Sequence, residues 1–313
     1  MPIAELVCEF RRLHPDWGAR QRLRVLQDRH PEIADWSAVS TAADLLAPRG
    51  LVQRRRRRRP TTHPGVGPIA THAPNDLWTA DFKDQFRTGN GAYCYPLTIA
   101  DQHTRFLFSC YGLLSTETLL AQPVFERVFR EYGVPRAIRT DNGVPFATQA
   151  IHGLSYLNVW WMRLGVGHQR IRPGCPQENG AHERMHRTLK RQAIKPVRGS
   201  CAAQQRNVDA FRHEYNTERP HERLQQATPA SQYVASPRSY PERLPPLEYP
   251  AHFLVKKITT GGTFRFRHKL LYLANAMVDQ YIGVEETDDG IWAIHFNTVL
   301  LATFDERDYI ITG

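Results

Sequence analysis

Two acidic residues, each set in a short strand-like run, place the strongest constraint on how this chain folds. Asp81 lies in the aromatic-rich run 77–83, which is typical of a central strand with one acid pointing out of the sheet. Asp141 follows the short apolar run 137–140 and precedes an Asn-Gly pair, so a strand ends at the acid and a turn begins there. We therefore predict a sheet that carries both carboxylates.

A third acid, Glu183, stands near the start of a predicted helix. Proline and glycine punctuate residues 173–180, and a segment free of both continues as far as Ile194. Magnesium and manganese take hard oxygen ligands, and two such ions roughly 3.5–4 Å apart stabilise the attacking and leaving oxygens of a displacement at phosphate. Asp81, Asp141 and Glu183 together predict a phosphoryl-transfer site for two Mg²⁺ or Mn²⁺ ions.

Three neighbouring acids, Asp84, Asp101 and Glu178, compete for the same role. Asp101 falls between the apolar runs 95–99 and 105–111, a pattern that favours a residue of a hairpin turn over a metal ligand.

Four segments carry a further pattern. They are Trp-Thr-Ala-Asp-Phe-Lys at 78–83, Thr-Asp-Asn-Gly-Val-Pro-Phe at 140–146, the run 172–190, and Tyr-Asn-Thr-Glu-Arg-Pro-His at 215–221. The chain resembles the integrase catalytic core shared by retroviral integrases and bacterial insertion-sequence transposases, and most closely the transposases of the IS481 type. The resemblance spans most of residues 5–305 and implies an α/β ribonuclease H-like core.

The resemblance also implies which glutamate is the third acid. In that family an Asn-Gly-x-x-Glu element supplies it, which points to Glu183 rather than Glu178. A separation of 42 positions between Asp141 and Glu183 is a few more than in retroviral relatives, and we place the extra residues within 147–167.

Basic residues near Glu183 are candidates for contact with DNA. Arg187 and Lys190 follow it at i+4 and i+7, so all three share one helical face. Related enzymes carry a basic residue at the position of Lys190, which the resemblance implies contacts the substrate end. The alternative is a solvated basic helix face. Arg170 and Arg172 flank the preceding loop and are further candidates.

Residues 182–186 also satisfy the His-Glu-x-x-His motif of zinc proteases. A zinc protease would need a third ligand and would have no use for Asp81 and Asp141. The residues on both sides of the motif fit the transposase pattern instead.

The charge balance favours a polyanionic partner, namely double-stranded DNA. The formal net charge is +10 and the pI is about 9.6. An unbroken basic run consists of Arg54, Arg55, Arg56, Arg57, Arg58 and Arg59. We expect this run to bind phosphates; the alternative is a solvated linker.

The cysteines and the apolar runs bear on location. Five cysteines without a Cys-x-x-Cys pair, and no apolar run of membrane length, lead us to expect a cytoplasmic protein with reduced thiols that does not act at a membrane.

Residues 1–50 predict an N-terminal all-α helix-turn-helix module. Helical spacing is interrupted at 15–18, resumes afterwards, and continues in a third helix at 37–46, where Ser37, Ser40 and Thr41 are candidates to face bases and phosphates. A plain three-helix packing module is the alternative. Related transposases have another such module upstream, which leaves a truncated copy or a mis-assigned start open.

The remaining chain divides into a basic linker (51–73), the catalytic core (74–237), a proline-rich linker (238–252) and a small C-terminal β-barrel (253–313). Within the core we predict strands near 78–86, 93–100, 105–112, 136–140 and 168–171, and helices near 116–132, 149–164, 179–195 and 201–217.

The function that these features predict is DNA transposition or integration. A metal-activated water would cut the strand at the element end, and the freed 3′-hydroxyl would attack target DNA at the same site. We expect the protein to act as a homo-oligomer on DNA. The alternatives are a simple nuclease and, from another class, an inactive or truncated element remnant that only binds DNA.

Overall fold

The computed structural model describes residues 3–52, 71–148, 151–172 and 175–312. The predicted basic run at 54–59 lies outside the described residues. No helix in these described segments has both the length and the apolar character needed to cross a membrane.

The N-terminal region is a small three-helix cluster. Its helices bury an apolar centre that includes Phe10, Trp17 and Leu26. The third helix begins two residues later than predicted, so Ser37 precedes it. The helices are α1 (Ile3–Leu13), α2 (Ala19–Arg29) and α3 (Val39–Leu46).

The central region alternates strands and helices as predicted. The predicted strand at 78–86 is interrupted between residues 82 and 86, and the predicted helix at 179–195 ends at Leu189 and continues as a wider π-helical turn over Lys190–Ile194. The elements are β1 (Trp78–Phe82), β2 (Phe86–Arg87), β3 (Tyr93–Asp101), β4 (Leu107–Leu113), α4 (Thr118–Tyr132), β5 (Ala137–Thr140), α5 (Tyr156–Arg163), β6 (Gly167–Arg170), α6 (Gly180–Leu189), α7 (Cys201–Thr217) and α8 (Pro229–Gln232).

These strands form one mixed sheet in the order β4-β3-β1-β5-β6, in which β3 is antiparallel to β1 and β4, whereas β5 and β6 run parallel to β1. The short β2 pairs with the start of β3, beyond the end of β1. Apolar side chains fill both sides of the sheet. One cluster includes Trp78, Phe125 and Trp161, and another includes Leu189 and Phe211. The sheet is therefore a middle layer between helices.

Helix α5 belongs to two apolar clusters at once. Ser155 caps it, since its hydroxyl accepts a hydrogen bond from the backbone N–H of Asn158 at 3.3 Å. One face, with Leu157 and Trp161, packs against the central sheet. The opposite face and the residues before it, Leu154, Val159 and Met162, join the apolar cluster of the C-terminal region. The predicted helix at 149–164 is thus shorter, and it has two apolar faces.

The C-terminal region is built from antiparallel strands. Five of them pair in the order β13-β12-β11-β10-β7, and β8 pairs with β9 in a separate ribbon. Pairing stops at β7 and β13, so the described strands form an open sheet and a ribbon rather than a closed hydrogen-bonded ring. The strands are β7 (Leu254–Lys257), β8 (Thr263–Phe266), β9 (Lys269–Tyr272), β10 (Tyr281–Asp288), β11 (Ile291–Phe296), β12 (Val299–Asp305) and β13 (Ile311–Thr312).

Asp101 lies at the β3–β4 turn, where the sequence pattern placed it. Its carboxylate accepts hydrogen bonds from the backbone N–H of Asn75 at 2.9 Å and from both the N–H and the hydroxyl of Thr104 at 2.7 and 2.8 Å. The residue is 1% exposed. Its oxygens are occupied in holding the turn, which excludes it as a free metal ligand.

We expect Asp101→Ala to lower the free energy of unfolding by about 2–4 kcal/mol, because it leaves buried donors of Asn75 and Thr104 without an acceptor. Chemical denaturation measures this. Asp84→Ala, which removes an exposed carboxylate, is the control and should cost well under half as much. Equal losses in the two variants would contradict a structural role for Asp101.

Candidate active site

The register of two parallel strands brings the first two acids together. Trp78 of β1 lies beside Ile138 of β5, and Thr79 lies beside Arg139. The same register continued along both chains places Asp81 beside Asp141, one residue past the end of β5. Neighbouring strands are about 4.8 Å apart, and residues at one level of a parallel pair point to the same face. Two carboxylates separated by 60 positions thereby share one spot on the sheet.

Helix α6 adds the third acid. Burial raises the pKa of Asp81 from 3.8 to about 7, and the negative charges of Asp141 and, more weakly, Glu183 contribute to that rise. Burial also raises the pKa of Asp141, against a hydrogen bond of 3.2 Å from the backbone N–H of Gly143. Glu183 is exposed in the first turn of α6. The charges of Asp141 and Glu183 therefore both reach Asp81.

This cluster of like charges has the character of a cation site. Among the residues that the structure describes, no lysine or arginine forms an ion pair with Asp81, Asp141 or Glu183. Crowded carboxylates with raised pKa values gain most from a bound divalent ion, which favours their ionised form. The donor set is all oxygen, as Mg²⁺ and Mn²⁺ require. The three residues fit the predicted pair of ions.

Two neighbours of Asp81 were missed from the sequence. Asn179, which immediately precedes α6 and is 5% exposed, donates a hydrogen bond from Nδ2 to Oδ2 of Asp81 at 3.2 Å. It therefore ties β1 to the helix that carries Glu183. The side chain of Lys83 is 11% exposed, pairs with Asp84, and its charge opposes the rise in the pKa of Asp81. The sequence signal for Asn179 is its place in the Asn-Gly-x-x-Glu pattern. The signal for Lys83 is its place next to Phe82.

A buried polar network holds α6 against the sheet. The hydroxyl of Thr98, on β3 opposite Asp81, lies 2.6 Å from Nε2 of His182 and 2.7 Å from Nε2 of His186. The hydroxyl of Thr79 lies 2.8 Å from Nδ1 of His182. Burial lowers the pKa of His186 to about 3 and that of His182 well below its ordinary value, so both rings are neutral. The two histidines fix the position of α6.

The same histidines decide between the two metal hypotheses. Ligand atoms of Asp81, His182 and His186 lie within 4.8 Å of one another, which is a grouping that suits a metal such as zinc. However, both ring nitrogens of His182 already contact threonine hydroxyls, and the side chain is 3% exposed. The His-Glu-x-x-His pattern therefore serves packing here, whereas Glu183 is exposed and its charge reaches Asp81.

Glu178 is occupied elsewhere. Its carboxylate accepts hydrogen bonds from the backbone N–H of Arg172 at 3.0 Å and from Nε of the same residue at 2.7 Å. These bonds lower the pKa of Glu178. An acid that is held by an arginine in this way is poorly suited to join the metal site, which favours Glu183 as the third acid.

The proposed DNA contacts are distributed around this site. Arg187 and Lys190 are exposed on and just after α6, and the charge of Lys190 helps to lower the pKa of Asp84. Arg170 is exposed at the end of β6, whereas Arg172 is engaged with Glu178.

The three candidate DNA-contact residues of the N-terminal region differ in solvent exposure. Ser40 and Thr41 are exposed in the first turn of α3. The hydroxyl of Ser37 is buried and has no hydrogen-bond partner among the described residues.

The sheet order and the neighbouring acids define an α/β core with a carboxylate site, and comparisons with known proteins assign its family. Residues 71–176 match one family model described as integrase core domain, and residues 164–229 match a second model with the same description. The chain belongs to the integrase core domain family, as an insertion-element protein of the transposase type with a retroviral-integrase-like core. The predicted resemblance to insertion-sequence transposases with an integrase core is thus confirmed, as is the ribonuclease H-like class of the core.

Relatives include bacterial and viral proteins. The insertion element IS407 uncharacterized 31.7 kDa protein of Burkholderia multivorans is 29% identical over 240 residues, which cover 76% of this chain and 80% of the relative. The insertion element IS476 uncharacterized 39.2 kDa protein of Xanthomonas euvesicatoria is 31% identical over 178 residues, 55% of this chain and 47% of that protein. The Gag-Pol polyprotein of baboon endogenous virus is 28% identical over 122 residues, 39% of this chain and 7% of the polyprotein.

Solved structures with a partial likeness are viral. The catalytic core domain of HTLV-2 integrase in complex with magnesium has a TM-score of 0.41 and 14% identity, covering 52% of this chain and 98% of that one. A chain of the simian T-cell lymphotropic virus intasome in complex with a PP2A regulatory subunit has a TM-score of 0.46 and 16% identity, covering 87% of this chain and 90% of that one.

The pKa of Asp81 predicts a stability effect. Because its folded pKa of about 7 exceeds its ordinary value of 3.8, its contribution to stability falls as pH rises through that window. In metal-free protein at pH 8 we expect Asp81→Asn to raise the melting temperature, and the gain to shrink as pH falls towards 5. Thermal unfolding followed by circular dichroism measures this.

Asp84→Asn is the matched control for that measurement, because hydrogen bonding to Lys83 lowers the pKa of Asp84 and its loss gives no gain. Mg²⁺ should raise the melting temperature of the parental protein and of this control far more than that of Asp81→Asn. A lower melting temperature for Asp81→Asn at pH 8 would contradict the repulsion.

Proposed function

We propose that this protein is a transposase that cuts DNA at the ends of its own element and joins the freed 3′ ends to target DNA. The observation that carries the proposal is that Asp81 lies near Asp141 and Glu183: its burial, with the charges of those two acids, raises the pKa of Asp81 to about 7. Phosphoryl transfer by paired divalent ions needs this kind of oxygen-rich, negatively charged site.

The protein groups have separate tasks in this proposal. Asp81, Asp141 and Glu183 hold two Mg²⁺ or Mn²⁺ ions, which when bound supply an activated attacking oxygen and charge stabilisation at the phosphate. Asn179 orients the carboxylate of Asp81 through the hydrogen bond of 3.2 Å. The packed sheet and helix keep the carboxylates at fixed separation before DNA arrives, so little reorganisation accompanies the reaction. The protein forms no covalent bond to DNA.

Arg187 and Lys190 then fix the position of the strand. Both are exposed on the helix of Glu183, so a phosphate at the acids meets their charges. Arg170 offers a further charge, and Arg172 becomes available only if its pair with Glu178 opens. The run at 54–59 gives nonspecific attraction to duplex DNA in this proposal.

The flanking regions complete the proposal. The N-terminal helices act as a helix-turn-helix module through Ser40 and Thr41, and the C-terminal strands act as a small barrel-like domain in DNA contact or assembly. The protein works as a homo-oligomer on double-stranded DNA in the cytoplasm. A protein that binds element ends without cutting them would instead be an element remnant.

We expect Asp81→Asn, Asp141→Asn and Glu183→Gln each to reduce strand cleavage at least about a thousandfold, because about 4 kcal/mol of metal-dependent stabilisation is lost. A strand-transfer assay with element-end DNA in Mg²⁺ or Mn²⁺ measures this. DNA affinity and fold should be nearly unchanged. Glu178→Gln is the control and should be mild; loss of activity there with retention in Glu183→Gln would overturn the choice of third acid.

Lys190→Ala should slow cleavage of the element end about a hundredfold while overall DNA affinity changes little, since misplacement of about 1 Å has effects of that size. Lys190→Arg should recover part of the rate through its retained charge. Lys195→Ala, which removes an exposed lysine five positions away, is the control. A parental cleavage rate in Lys190→Ala would reduce this lysine to a solvated surface group.

A further inference from the structure

A second cleft lies next to the active-site helix, and the proposed mechanism does not use it. It has a volume of about 670 Å³ and is bounded by α2, the β3–β4 turn, α6 and the end of α7. Its walls include four arginines, Arg105, Arg184, Arg219 and Arg223. Glu222 is the one acidic residue among the described residues that line it.

The four arginines lack a direct carboxylate partner. None of them forms an ion pair with a carboxylate in the described parts of the chain. Arg105 donates to the neutral amide oxygen of Gln102 at 3.0 Å, and Arg219 donates to that of Gln192 at 3.4 Å. Burial, together with the charges of Arg223 and Arg184, lowers the pKa of Arg105 to about 10. Arg105 is thus held in the cleft against repulsion from Arg223 and Arg184.

The cleft also explains a motif that the active site leaves without a role. The segment 215–221 supplies Tyr215, Arg219 and His221 to its wall. Nε2 of His221 is buried and has no hydrogen-bond partner among the described residues. Burial and the charge of Arg219 lower the pKa of His221 to about 4, so the ring is neutral. The ring also has a hydrogen bond with the backbone of Tyr215, so Nε2 is the buried polar atom of this imidazole that a ligand could satisfy.

The cleft is joined to both the active site and the N-terminal helices. Arg184 follows Glu183 directly on α6, so it projects about 100° around the same helix. Gln21 of α2 closes the opposite side, where its Nε2 donates to the backbone oxygen of Pro220 at 2.5 Å. Arg29 of α2 pairs with Glu218 at 3.7 Å. A ligand in the cleft would therefore contact the junction of the two regions.

We propose that this arginine cleft binds a phosphate group, and that the phosphate belongs to the backbone of the DNA held by the protein. Guanidinium forks match phosphate oxygens in pairs and form strong charge-assisted hydrogen bonds. The arrangement holds strand DNA beside the helix of Glu183 at a second point. This assignment of the DNA source rests on the proposed function, whereas the phosphate chemistry rests on the cleft alone.

The test compares Arg184→Gln/Arg223→Gln with Arg206→Gln/Arg243→Gln. Both members of each pair are exposed, so neither double variant removes buried packing. Each pair lowers the charge equally, and the control residues lie outside the cleft. Because the first pair relieves repulsion, its melting temperature without phosphate should equal or exceed that of the parental protein, which also confirms folding.

The first measurement is thermal unfolding with inorganic phosphate, at ionic strength matched with chloride. Phosphate should raise the melting temperature of the parental protein and of the control pair, and should have little effect on Arg184→Gln/Arg223→Gln. The second is binding of a fluorescent duplex without divalent metal. Here the cleft variant should show a shallower salt dependence, by about one unit of slope per lost phosphate contact, beyond the change in the control.

The third measurement identifies the source of the phosphate. Single backbone phosphates of the duplex are replaced in turn by neutral methylphosphonates. One position should weaken binding to the parental protein and the control about tenfold, the equivalent of about 1.4 kcal/mol, while leaving binding to the cleft variant unchanged. Such coupling supports the proposal in full.

If no methylphosphonate position shows this coupling, but phosphate still raises the melting temperature of the parental protein and not that of the cleft variant, then the cleft binds free phosphate. That result would overturn DNA as the source of the phosphate. Absence of both would overturn the cleft as a phosphate site. These measurements use metal-free protein and do not depend on cleavage. Their outcome is therefore independent of the results for the Asp81, Asp141 and Glu183 variants. A chain that binds phosphate here and never cuts DNA would refute the proposed function alone.

Discussion

The burial of Asp81 beside the negative charges of Asp141 and Glu183 is the constraint on which the core depends. Asp81 and Asp141 are held at one level by the pairing of β1 with β5, and Glu183 is brought to them by α6. Burial is the larger cause of the raised pKa of Asp81, and the charges of Asp141 and Glu183 add to it. The hydrophobic packing on both faces of the sheet must outweigh this cost when no cation is present, which explains why the strands that carry the acids are among the most deeply buried in the chain.

Helix α6 connects the parts of this arrangement because its faces perform different tasks. His182 and His186 contact Thr98 of the sheet, the charge of Glu183 reaches Asp81, and Arg184 lines the arginine cleft. The buried histidine network leaves the helix little freedom to rotate, so the acid and the arginine keep a constant angle. A small displacement of this helix would therefore alter both sites together.

Local sequence was sufficient to predict the elements that depend on neighbouring residues alone. The run at 201–217 predicts α7 at its observed bounds, and Asp141 follows its strand as the Asn-Gly turn indicates. Motif resemblance separated Glu183 from Glu178, and the pair between Arg172 and Glu178 agrees with that choice. Contacts between distant residues could not be predicted in this way. Thr98 meets its histidines across 84 and 88 positions, and the cleft assembles arginines from the turn at 105 and the segment at 219–223.

The segment between Asp141 and Glu183 includes α5, whose two apolar faces contribute to two clusters. Its Trp161 belongs to the central sheet, whereas Val159 and Met162 belong with the C-terminal strands. Asn297 reinforces this junction by donating to the backbone oxygen of Met162 at 2.9 Å. A core domain truncated before β7 would expose the apolar face of α5 that carries Val159 and Met162, and this exposed face would promote aggregation. We therefore expect the two regions to be inherited together. A recombination that exchanged one without the other would require new surface residues on α5.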